Sequence, residues 1–312
     1  MLSFKKASIY ASLLGLYCAS AIGQTVITNS TATPSGCDGG PRSTPPIGIC
    51  FNGGAYVLGG SVSAIDIVGD GVSIDLAGLV VGGGGVGVCP DASLGNTCTG
   101  TPGSFYGLYI TGKNARIRNG EVRNVSGTGI LATGENVSLT DLFVHDNNGD
   151  GGDVGIGSLR NVLSRNNNGQ GIHIEGGTVD GAYVTHNNTY GIYDPSSTVM
   201  VSNSTIRNNS LGGVFLIAGQ VNNVTSSYNG SYGFASGSST QFINATAIGN
   251  SSDGFYTVGG AGGIIQSLAY GNLGYGFNLS NSTCYQNITT VSNTIGTVTG
   301  GAAYGIGTVC AH

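Results

Sequence analysis

An all-β solenoid is the fold class this sequence predicts, wound from parallel coils about 21 residues long. Three observations predict it. Asn166, Asn187, Asn208, Asn229 and Asn250 recur at a spacing of 21, and Asn272 and Asn293 follow at 22 and 21. A few residues after each of the first six comes a glycine with an apolar partner, in NNNGQGIHI, NNTYGIYD, NNSLGGVFL, NGSYGFAS, NSSDGFYT and NLGYGFNL. Helix signals are nearly absent: apolar residues come in short alternating groups such as VSIDL and GIHIE, bounded by Gly, Asn and Ser.

In chain order, MLSFKKASIYASLLGLYCASAIGQ places Lys5 and Lys6 before an apolar run and then small residues. That is the pattern of a secretory signal, assigned to residues 1–23. The run is too short to span a bilayer, so the mature chain is expected to be exported. Beyond it stand six cysteines, Cys37, Cys50, Cys89, Cys98, Cys284 and Cys310. In an oxidising compartment an even set reads as disulfides, and their clustering favours 37–50, 89–98 and 284–310. Residues 24–51 are then a cap segment, and 52–312 the solenoid with its C-terminal cap. The 89–98 pair closes a loop that leaves the coils.

A repeat this short cannot bury an apolar face alone, so stacked copies must share one core. YGLYI (106–110) and TGILA (128–132) are its upstream copies. Ile130, Ile172, Ile192, Val214, Phe234, Phe255 and Phe277 follow the glycine and are expected in one interior row. The asparagines are expected in a second, each amide bonded to the next coil. The ladder, the G-[ILVF] strand starts and DGVSIDLAGLVVGG near the beginning carry a resemblance over residues 52–300. The chain resembles the right-handed parallel β-helix family, the pectate-lyase-like solenoids. The resemblance implies architecture and not activity. Of the polygalacturonase-like motifs only RIR (Arg116–Arg118) is present. The D-P-H-D of alginate epimerases is reduced to Asp194-Pro195, and the acidic calcium cluster of pectate lyases has no counterpart.

Charged residues are 8% of the chain and the formal net charge is −5, which excludes a basic nucleic-acid footprint. Their distribution is uneven: residues 113–207 carry sixteen and 208–312 carry one, Asp253. The central coils are therefore the expected working surface. One column reads His145, Arg165, His186, Arg207, Tyr228, a cationic row suited to a polysaccharide's carboxylates. Another, facing outward by strand alternation, reads Tyr109, Leu131, His173, Tyr193, Phe215, Ala235, Tyr256. Exposed rings in a row suit the faces of sugars.

Asp153, Glu175 and Asp194 follow the glycines of three successive coils, and adjacent coils lie roughly 5 Å apart. Such a column brackets the carboxylate separations used in glycoside hydrolysis. With His173 they are the candidate catalytic groups, and Tyr193, Phe215, Arg165, His186 and Arg207 the candidate substrate contacts. Strand parity turns Asp194 inward, but Pro195 ends the strand there and is expected to release it. The stretch DNNGDGGD (146–153) begins like a calcium loop. Its twelfth position is Gly157, however, and Asp146 falls in the ladder column, expected to bond Asn166. No cofactor is implied; calcium on Asp150, Asp153 and backbone carbonyls is the alternative. The expected function is that of a secreted β-helix binding, and as an enzyme cleaving, an extracellular polysaccharide, as lyase or hydrolase. A non-catalytic adhesive or structural solenoid is the alternative.

Overall fold

The computed structural model describes residues 24–28, 47–49, 53–62, 64–82, 106–259 and 262–303. The signal segment, the 89–98 loop and one or both members of every expected cysteine pair lie outside them. Among the described residues, twenty-eight strands join in one continuous sheet, and every pairing is parallel, coil on coil. Each coil has three sides. In one of them, the strand Ile172–Asp180 gives side A with its first half and side B with its second, bending at Gly177. Tyr183–Thr185 gives side C, and a turn through Asn187 and Gly191 returns the chain to side A at Ile192. Among the described residues, no helix is long and apolar enough to cross a membrane.

The expected interior row forms on side A. Ile130, Gly152, Ile172, Ile192, Val214, Phe234, Phe255 and Phe277 are successive register partners. All the apolar members are buried. Toward the C-terminus the row turns aromatic, with Phe234, Phe255 and Phe277 stacked at 4.9 and 4.7 Å. Burying each ring contributes about 1.5–3 kcal/mol over leaving it in water.

The asparagine ladder also forms, one residue from the predicted place in three coils. Its members are Asn147, Asn167, Asn187, Asn209, Asn229, Asn250, Asn272 and Asn293. Asn187 donates both its backbone N–H and its carboxamide to Asn209 Oδ1, each at 3.0 Å. Asp146, Asn166 and Asn208 instead occupy the preceding corner with φ near +54°. There short polar side chains tolerate the left-handed conformation best. Asp146 bonds His145 and, as expected, Asn166, but both Asp146 and Asn166 stand at the corner and not in the ladder.

The repeating glycine and asparagine are one device. A Cβ on Gly191 would lie 2.8 Å from Asn209 Nδ2 and 2.3 Å from Ile206. The ladder amide fills the space a side chain would need, and the same clash recurs at Gly171 against Asn187 and at Gly213 against Asn229.

Coil length is not a constant 21. Successive ladder steps are 20, 20, 22, 20, 21, 22 and 21 residues. The difference is absorbed at the A–B bend. His173 pairs Tyr193 and Gly177 pairs Val199, so the second coil fits two extra residues between those anchors. They form an outward bulge at Pro195–Thr198.

Candidate functional site on side A

The outward column of side A runs Tyr109, Leu131, Asp153, His173, Tyr193, Phe215, Ala235, Tyr256. It is the predicted aromatic column with Asp153 added between Leu131 and His173. Alternation points these side chains away from the core, and all but Ala235 are half-buried between their neighbours.

Asp153 and His173 are direct neighbours. Asp153 Oδ1 lies 3.0 Å from His173 Nδ1, while Nε2 is covered and has no hydrogen-bond partner. The bond to Asp153, helped by the field of Asp150 and Glu175, raises the His173 pKa against the opposing effect of burial. Asp150, in the turn before, accepts from the Gln170 N–H at 2.6 Å. Burial pushes its carboxyl up, opposed mainly by that bond. One atom each of Asp150, Asp153 and His173 lie within 4.8 Å of one another. A metal there would have an imidazole nitrogen beside two carboxylates, a set closer to transition-metal than to calcium preference. It would first have to displace the Asp153–His173 bond.

The three candidate carboxylates do not share a column. Glu175 is two residues beyond His173 and exposed on the same side. Its Cα lies about 8 Å from that of Asp153 by strand spacing and rise. Asp194 lies one residue past Tyr193 and faces the core, paired with Leu216 and 0% exposed. Pro195 does not release it. Oδ1 accepts the Ser196 and Ser197 N–H groups at 3.0 Å and so folds the bulge that follows. Asp194 is therefore outside the groove.

The cationic column is also redrawn. Arg123, His145, Arg165, Thr185, Arg207 and Ser227 are register partners at the end of side C. His186 and Tyr228 stand one residue later, at left-handed corners. Arg165 lies over the Phe143 ring at 4.9 Å, and Arg123 pairs with Glu121. His145 is buried between Glu121 and Asp146, with a carboxylate oxygen at each ring nitrogen. These cations belong to another side of the solenoid from Tyr193 and Phe215.

Beside the column stands a second set of rings. Tyr190 stacks on Tyr193 at 5.1 Å, Tyr193 on Phe215 at 5.3 Å, and Tyr232 on Tyr256 at 4.8 Å and 8°. Tyr106 meets Tyr109 in the same way. Sequence reasoning overlooked Tyr106, Tyr190 and Tyr232. The signal was present: each immediately precedes the repeat glycine, which puts its ring at the edge of side A three residues before the column position.

The family model described as "right handed beta helix region" matches residues 73–233. No curated protein sequence matches the chain. Among solved structures, the chain is similar to the A-module of the mannuronan C-5 epimerase AlgE4 from Azotobacter vinelandii. The identity is 13%, 97% of this chain and 96% of that one are covered, and the TM-score is 0.65. It is also similar to the Agl-KA catalytic domain, with 11% identity, 80% and 57% coverage and a TM-score of 0.50.

Proposed function

The chain belongs to the right-handed β-helix family, and from that premise we propose that it is secreted and binds an extracellular polysaccharide along side A. The carrying observation is the double row of rings: Tyr190, Tyr193 and Phe215 form one continuous stack across two adjacent coils. Rings half-exposed in a straight line offer flat apolar faces to successive sugar units. Carboxylates at their N-terminal end accept hydrogen bonds from hydroxyls. The likeness to a mannuronan epimerase agrees in ligand class, although at 13% identity it carries the fold alone.

Cleavage is the further step of this reading, with Glu175 as the exposed proton-transfer group and Asp153 opposite it. Their Cα atoms are about 8 Å apart, which allows the two carboxyl groups to take the separation of about 6.5–9.5 Å used with an intervening water. The non-catalytic reading draws on one observation: His173 has its outer nitrogen covered, so it is not poised to exchange a proton.

Both readings are tested together by glycan-array binding followed by product analysis. Tyr193→Ala is expected to weaken binding at least tenfold, while Glu175→Gln abolishes turnover and retains binding. Ultraviolet-absorbing unsaturated products would identify a lyase, and new reducing ends without them a hydrolase. Unchanged binding by Tyr193→Ala would remove side A as the binding surface.

A further inference from the structure

We infer that side A selects an uncharged glycan and rejects polyanionic ones, so that its ligand is not a polyuronate or sulfated chain. This rests on the reading of side A as the binding surface and adds the chemistry of what lies on it.

The argument is one of placement. Seven of the ten lysines and arginines are among the described residues. Arg116, Arg118 and Arg160 lie on side B. Arg123, Arg165 and Arg207 line the end of side C. Lys113 lies at an A–B bend, two coils before Asp153, and is held by Glu135 at 2.9 Å. None of them projects from the column that carries the rings. The cation that does, His173, is bonded to Asp153.

The remaining charge on that side is negative. Asp150 and Glu175 flank His173, and its ionisation responds to both. A chain with a carboxylate on every sugar, laid along the rings, would bring its own charges against Asp150, Asp153 and Glu175. Like charges at 5–10 Å repel, and the repulsion strengthens where water is excluded. An uncharged chain meets the opposite situation. Its hydroxyls donate to the same carboxylates, and its ring faces lie on Tyr190, Tyr193 and Phe215. The sign of the local charge thus works against a polyuronate even though the fold resembles that of a mannuronan epimerase.

The test is calorimetric titration of the full chain with neutral gluco- and manno-oligosaccharides and with oligogalacturonate and oligomannuronate, in chelator, at low and at raised salt. The expected result is that a neutral oligosaccharide binds and depends on Tyr193. Uronates are expected to bind at least tenfold more weakly, and salt to strengthen that residual binding by screening repulsion. Uronate binding that equals or exceeds neutral binding, depends on Tyr193 and weakens with salt would overturn the inference while leaving side A as the surface. If no saccharide of either class binds, or binding ignores Tyr193→Ala, the underlying reading falls, and the inference with it.

Discussion

His173 shows how one residue's environment sets its behaviour. Its imidazole is held by Asp153 at 3.0 Å, and its pKa lies above the ordinary 6.5. The pair's contribution to stability is therefore full below pH 6.5 and lost as pH rises through the folded value. The stability advantage of the native chain over Asp153→Asn is expected to be largest below that point and to shrink as pH rises from 6.5 through the raised folded value. Urea unfolding across that interval measures it. A gap that stays constant or widens with pH would show that the bond does not depend on the imidazolium. At this scale the sequence was only partly legible. Alternation alone put His173 and Tyr193 outward, as they are. It gave Asp194 inward parity as well, and the proline was wrongly expected to free it. What decides the matter is a pair of backbone N–H groups at 3.0 Å, which no pattern of residue types announces.

The ladder and its corner are elements rather than residues, and they were legible as elements while their register was not. Runs such as Asn166-Asn167-Asn168 offer the same amide to three different environments: a left-handed corner, a buried rung and an exposed neighbour. A strict spacing of 21 picks the corner in one coil and the rung in the next, because true steps alternate around that mean. The distinction is testable. Asn209→Leu removes the acceptor of the Asn187 backbone N–H and leaves the Asn187 carboxamide only Ser164 O at 3.4 Å, while Asn229 Oδ1 keeps the backbone N–H of residue 209. It is expected to cost about 1–3 kcal/mol for the stranded N–H. Asn208→Gly, at φ +55°, suits the corner and is expected to change stability by no more than about 0.5 kcal/mol. Thermal denaturation of the two variants decides it. Equal losses at 208 and 209 would mean that corner and rung have been confused.

Across the whole molecule each coil touches only its neighbours, so stability is a sum of similar local terms and the ends are its weak points. The C-terminal strands already show this: Thr289–Val291 and Gly296–Thr299 are largely exposed or half-exposed, whereas Val199, Val201 and Val221 are buried. Amide hydrogen exchange is expected to be fast over 289–299 and slow by orders of magnitude over 199–221, with protection falling coil by coil toward the end. Uniform protection would show that the solenoid opens as a single unit. Composition and period were enough to read the architecture, since a stacked repeat with few charges has few alternatives. The ring column of side A was legible as well, but which carboxylates and cations share that side was not, because such facing relations depend on which residue begins each bend.

That bend at side A has a consequence for how such a protein changes over time. Two residues more or fewer between His173 and Gly177, or between Tyr193 and Val199, leave every later coil in the same register. The chain can therefore gain or lose a finger beside its ring-lined side without renegotiating the rest of its packing. As with loops that carry function on other scaffolds, the tolerant place borders the proposed binding side, so new contacts there can be tried by simple lengthening, and failed ones deleted, while the scaffold stays as it is.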